Sequence, residues 1–99
     1  MIAQKYPVKT TFKKEGAMIH YSQADMATVL ERALRRSKLP VYFTQGFNPR
    51  IKISFYGGLK LGIEGNLEVT FYFSEPTTFE QLHKQLSPQL PEGLRVVVS

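Results

Sequence analysis

The stretch Ser22–Phe55, SQADMATVLERALRRSKLPVYFTQGFNPRIKISF, decides how the chain must fold. Ser22 is a good N-cap, because its hydroxyl can accept from the free N–H groups of a first helical turn, and Asp25 suits the positive end of the helix. At about 100° per residue, Met26, Ala27, Val29, Leu30, Ala33, Leu34 and Ser37 fall on one arc. Thr28, Glu31, Arg32, Arg35 and Arg36 fall on the other, with Glu31 and Arg35 spaced for an i,i+4 ion pair. Leu39-Pro40 stops the helix, since the residue before proline is pushed out of helical space.

Beyond the helix, Val41-Tyr42-Phe43 is too short for a main strand unless it continues the strand after the loop. Gln45-Gly46-Phe47-Asn48-Pro49 reads as a turn, in which Gly46 and Asn48 can take positive φ and Pro49 fixes the exit. From Arg50 to Tyr56, Ile51, Ile53 and Phe55 alternate with Lys52, Ser54 and Tyr56, the period-2 pattern of a half-buried strand.

Working outward, Gln4 to Lys13 forms a strand with Tyr6, Val8, Thr10 and Phe12 on one face and Lys5, Lys9, Thr11 and Lys13 on the other. Glu15-Gly16 ends it, and Ala17, Met18 and Ile19 anchor the link to the helix. A glycine-rich connection, Gly57-Gly58 through Gly62 to Gly65-Asn66, leads to a strand over Leu67 to Phe73. A second helix opens at Pro76-Thr77, with Thr77 and Glu80 as a capping box and Phe79, Leu82, His83 and Leu86 as its apolar stripe. Ser87-Pro88 ends it, and Leu94, Val96 and Val98 form a last strand.

That order is βαββαβ. Two amphipathic helices can cover one face of a four-stranded antiparallel sheet, which is the ferredoxin-like α+β arrangement. Right-handed crossovers place the first and third long strands at the sheet centre. The opposite face is then open and carries Lys9, Lys52, Tyr56, Thr70 and Tyr72.

At 99 residues the chain, 1–99, is expected to be one domain with one modest core. The apolar fraction of 42%, with seven Phe and five Tyr, argues against disorder. With no Cys, disulfides, Cys-ligated zinc, iron–sulfur clusters and thiolate catalysis are excluded, and no cofactor is expected. The first residues, MIAQKYPVK, lack the apolar core of a signal peptide, and no run approaches the ~18 apolar residues of a membrane span. These features point to the cytoplasm and away from the membrane. Thirteen Lys+Arg against eight Asp+Glu, a net charge of +5, favour a polyanionic or acidic partner.

From Ser22 to Glu64 the chain resembles a group of uncharacterised bacterial proteins, the radical-SAM-associated (radical-SAM-linked) family. The likeness lies in Ser22 and Asp25, LERALRRSKLP from Leu30 to Pro40, TQGFNPR from Thr44 to Arg50, ISF from Ile53 to Phe55 and LGIE from Leu61 to Glu64. PEGLRVV, Pro91 to Val97, is similar too, so the resemblance covers most of the chain. It implies a short member spanning the N-terminal half of the usual family length, and a half-domain often completes its core by dimerising. It also implies an RNA-metabolism setting. Family members are fused to or encoded beside radical-SAM enzymes, often near an RNase E/G-type ribonuclease and ribosomal-protein genes. Gln23 and Arg50 stand where the family typically carries His, and a metal or proton-transfer role built on those histidines does not carry over.

The residues themselves offer one corner. Arg32, Arg35, Arg36 and Lys38, with Arg50 and Lys52 beyond the loop, suit phosphate oxygens, for which the planar guanidinium is well shaped. A solvated helix face is the competing reading. Gln45, Phe47 and Asn48 suit an unpaired base, against a plain turn with Phe47 packed on the core and Asn48 bonded to its own backbone. Tyr56 and Tyr72 resemble an aromatic platform, though no RNP-like cluster accompanies them. The preferred reading is an accessory domain that binds RNA or an RNA-associated protein in support of a radical-SAM or RNA-processing enzyme. The alternative is a protein-interaction or homodimerisation module using the open face and the edge strands. Catalysis by His20 with Tyr21 as general acid/base ranks last. No hydrolase triad, P-loop, dinucleotide fingerprint or radical-SAM CxxxCxxC motif occurs.

Overall fold

A computed structural model of the chain describes residues 4–56 and 65–97. Its elements are β1 (Tyr6–Lys14), α1 (Gln23–Ser37), β2 (Ile53–Tyr56), β3 (Gly65–Phe73), α2 (Phe79–Leu86) and β4 (Leu94–Val97). Short 3-10 turns at Gly16–His20 and Ser87–Gln89 precede α1 and follow α2. The four strands form one sheet in the order β2-β3-β1-β4, every neighbouring pair antiparallel. This is the ferredoxin-like arrangement expected from the element order. The two longest strands, β1 and β3, sit at the centre because their apolar alternation runs furthest.

Register assigns the faces. Val8 lies opposite Phe71, Thr10 opposite Val69 and Phe12 opposite Leu67, while Val96 joins Phe12 from β4 and Phe55 joins Val69 from β2. Met26, Leu30, Ala33 and Leu34 from α1 and Leu82 and Leu86 from α2 complete the core over that face. Phe12 and Phe71 meet edge to face with ring centroids 5.8 Å apart. Each such fully buried side chain contributes roughly 1.5–3 kcal/mol of transfer free energy, so this one layer is the main source of stability.

The helix ends carry their own chemistry. The Ser22 hydroxyl accepts from Asp25 N–H at 3.1 Å and the Asp25 carboxylate accepts from Ser22 N–H at 3.0 Å, a complete capping box. At the other end Ser37 donates to Leu34 O and accepts from Leu39 N–H, and Lys38 takes the left-handed position with φ of 64°. Glycine usually occupies that position, because a Cβ is strained there.

Several boundaries differ from the sequence reading. The capping box of α2 is Thr78 with Gln81, one residue later than Thr77 with Glu80, because the Thr77 hydroxyl turns back to donate to Glu75 O. Ladder pairing with Lys13 and Lys14 starts β3 at Gly65, so Gly65-Asn66 belong to the strand. Ala17–Ile19 fall in the first 3-10 turn, where Met18 is buried. The glycine-rich connection from Gly57 to Glu64, with its LGIE segment, and Val98 lie outside the described residues. Among those residues, no helix is long and apolar enough to cross a membrane.

Candidate functional site

The segment between α1 and β2 is a hairpin hung on the end of β3. Val41 bridges to Phe73 and Phe43 to Ile51, so the short apolar run does extend the pairing of the residues after the loop. Tyr42 N–H donates to Tyr72 O at 3.0 Å and Lys52 N–H donates to Tyr42 O at 2.9 Å. Nearer the tip, Thr44 N–H donates to Arg50 O at 2.7 Å, and Arg50 N–H donates to the Thr44 hydroxyl at 3.0 Å. Gly46 turns with φ of 139°, but Asn48 keeps a negative φ. Asn48 makes no hydrogen bond among the described residues, so the expected bond to its own backbone is absent. Phe47 at the tip has a relative exposure of 104%; it projects into solvent and does not pack on the core.

The structure divides the basic residues singled out in the sequence. Arg50 Nη2 donates to the Glu31 carboxylate at 3.0 and 3.2 Å, tying the hairpin to the middle of α1. Glu31 therefore pairs with the loop and not with Arg35, because the hairpin brings a guanidinium closer than the helix does. Arg36 points away from the hairpin: its guanidinium donates to Gln89 Oε1 at 3.3 Å and Gln89 O at 3.0 Å, holding the 3-10 turn after α2. Arg32 and Arg35 are exposed with no hydrogen bond or ion pair among the described residues. Gln45 is exposed beside Phe47. Lys52 lies on the other side of the molecule, its ammonium over the ring of Tyr72.

That other side is the sheet face without helices. Lys9, Thr70 and Ser54 form one cross-strand row, and Thr11, Glu68 and Tyr56 the next. Because Val41 pairs with Phe73 on the covered face, Tyr42 falls on the open one. Lys5 Nζ lies 5.6 Å from the centroid of Tyr72 and 6.0 Å from that of Tyr42, Lys9 Nζ 5.6 Å from Tyr56, and Lys52 Nζ 5.3 Å from Tyr72. These are cation–π distances. The Tyr72 hydroxyl meets Ser54 Oγ at 3.4 Å. Thr70, expected to be an open residue, is only 3% exposed. The alternation of β1 already set Lys5 on the side of Lys9, but sequence reasoning missed Tyr42 as a member of this face; the alternation at Val41-Tyr42-Phe43 was a signal, but its register needed the Val41–Phe73 bridge.

The remaining candidates stay apart. His20 is exposed at the end of the first 3-10 turn, and His83 packs its ring against Phe79 at 6.1 Å on α2. Among the described residues, no group of three or more His, Cys, Asp or Glu could hold a metal ion. Asp25 is held below its ordinary pKa, chiefly by the backbone N–H of Ser22 and then by the Ser22 hydroxyl, which is the signature of a helix cap.

No curated protein and no solved structure matches the chain. Residues 8–99 match the model of a family described as an uncharacterized protein conserved in bacteria (DUF2344), and with nearly its whole length covered the chain belongs to that family.

Proposed function

We propose that this protein is a cytoplasmic, single-domain RNA-binding accessory whose contact corner is the Phe47 hairpin together with the exposed arginines of α1. One observation carries the reading: a phenylalanine stands wholly in solvent at the tip of a loop tethered to α1 by the Arg50–Glu31 pair. A large apolar side chain held out in this way suits a partner surface or an unpaired base on which to stack. Arg32 and Arg35 supply cations with no partner among the described residues, and the net charge of +5 favours a polyanion. Gln45 and Asn48 add amide donors and acceptors beside the ring. The likeness of the helix–GFNPR–strand region to radical-SAM-associated proteins adds the setting, support of a radical-SAM or RNA-processing enzyme.

The test is a titration of the full chain with structured RNA at two salt concentrations. Binding that weakens with salt, and weakens further in Arg32→Ala/Arg35→Ala and in Phe47→Ala, supports the reading. Absence of binding at low salt removes it. A second reading, a protein-interaction or homodimerisation module, is favoured by Phe43 and Phe47 being exposed on one hairpin, 40% and 104% respectively. Sedimentation as a strict monomer that captures no partner through Phe47 counts against it.

A further inference from the structure

The open sheet face is a separate feature from the Phe47 corner. Each of Tyr42, Tyr56 and Tyr72 has a lysine ammonium within about 6 Å of its ring, and Tyr72 has two. Lys9 starts on β1 and reaches Tyr56 on β2, crossing β3, which lies between them. Its direct cross-strand neighbour on β3 is Thr70, so the lysine stem runs over that residue. Thr70 is 97% buried, and its hydroxyl has no hydrogen-bond partner among the described residues. Beside it a shallow depression of about 370 Å³ is lined by Lys9, Thr11, Tyr56 and Glu68.

Resting on the RNA-binding reading above, we propose that the open face is a single-strand RNA site in which unpaired bases displace lysines from tyrosine rings and the freed lysines take the phosphates. Charge complementarity selects the occupant. Lys5, Lys9 and Lys52 are flexible cations spaced between flat aromatic faces, the combination that a phosphodiester strand with exposed bases requires. A duplex hides its base faces and offers the rings nothing to stack on. Stacking of a base on an aromatic ring outweighs an exposed cation–π contact, so the exchange runs toward the bound state. Once Lys9 swings out, the unpartnered Thr70 hydroxyl is uncovered between Lys9 and Ser54. Glu68 beside Tyr56 repels phosphate, which places the strand's backbone toward the Lys5 and Lys52 end.

The experiment titrates the full chain with an oligouridine of about eight nucleotides and with duplex RNA, following the lysine side-chain methylene resonances by NMR. In the free protein the ε-methylenes of Lys9 and Lys52 are shifted by the tyrosine rings, and they move to unshifted positions as oligouridine binds. Tyr72→Leu weakens oligouridine binding about tenfold and leaves duplex binding unchanged. Lys9→Met/Lys52→Met, which removes no core side chain, lowers the slope of log K against log salt by about 0.7 per lysine. Lysine resonances that stay in place, or an unchanged salt slope in the double variant, overturn the proposal even if Tyr72→Leu fails to fold. Loss of all binding in Arg32→Ala/Arg35→Ala/Phe47→Ala, with the face variants still behaving as wild type, overturns the face site alone. A wild-type chain that binds neither RNA overturns both readings.

Discussion

Arg50 and Glu31 join the loop to the helix through a two-point contact, Nη2 to Oε1 at 3.0 Å and to Oε2 at 3.2 Å, across nineteen residues of sequence. The Arg50 side chain is 65% exposed and that of Glu31 16%, so water screens the pair on one side. Its worth is therefore that of a surface pair, below about 1 kcal/mol, and its main effect is to restrict the hairpin. Arg50→Ala should lower stability in urea by less than about 1 kcal/mol while speeding amide exchange at Thr44 and Lys52. Unchanged exchange at those amides would show that the backbone ladder alone holds the loop.

Gly93 is bound to one place by its lack of a side chain. Its carbonyl accepts from Glu15 N–H at 2.8 Å, its φ is +94°, and a Cβ there would lie 2.7 Å from Glu15 O and 2.8 Å from Met18 Cγ. Glu15 O is backbone and cannot move aside cheaply. Gly93→Ala should therefore cost about 2–3 kcal/mol or more in thermal or urea unfolding, combining positive-φ strain with the clash. A loss of a few tenths would refute this account of the corner.

Thr10 lies opposite Val69 on the covered face, and its hydroxyl is buried without a hydrogen-bond partner among the described residues. Burying an unpaired hydroxyl costs about 1–3 kcal/mol, and valine has nearly the same shape with a good strand propensity. Thr10→Val should raise the unfolding midpoint, by the equivalent of about 1 kcal/mol. Urea denaturation checks the sign.

The cap of α1 makes stability depend on pH. Hydrogen bonds from Ser22 hold the Asp25 pKa below its ordinary 3.8, so the folded state binds that proton less readily than the unfolded chain. The contribution is present above about pH 4 and is lost as pH falls through the ordinary value toward the lower folded one. Asp25→Ala should remove that acid limb, whereas Ser22→Ala keeps the backbone N–H that is the larger cause and should only reduce it, while costing about 1 kcal/mol of helix capping at neutral pH. Helix melting followed by circular dichroism at a series of pH values measures both.

The strands, both helices and the ferredoxin-like layering were legible because each rests on local periodicity: Phe12 with Val8 and Thr10, Leu30 with Met26 and Leu34, Phe71 with Val69 and Phe73. The one-residue slip at Thr78 shows where that reasoning thins. Two adjacent threonines both look like caps, and only the direction of the Thr77 hydroxyl toward Glu75 O separates them. The candidate corner was half legible. Phe47 and Arg50 could be placed in one loop, but not that Arg50 would pair with Glu31 or that Arg36 would be drawn to Gln89, fifty-three residues on.

What this chain's sequence determined by itself is the set of elements and the face that each one buries, since apolar spacing, caps and prolines act within a few residues. Only the tertiary structure decided which charges stay available, because pairing depends on residues that meet across the fold. The same holds for the open face. Tyr42, Tyr56 and Tyr72 come from separate segments, and strand order and register alone bring them together beneath Lys5, Lys9 and Lys52.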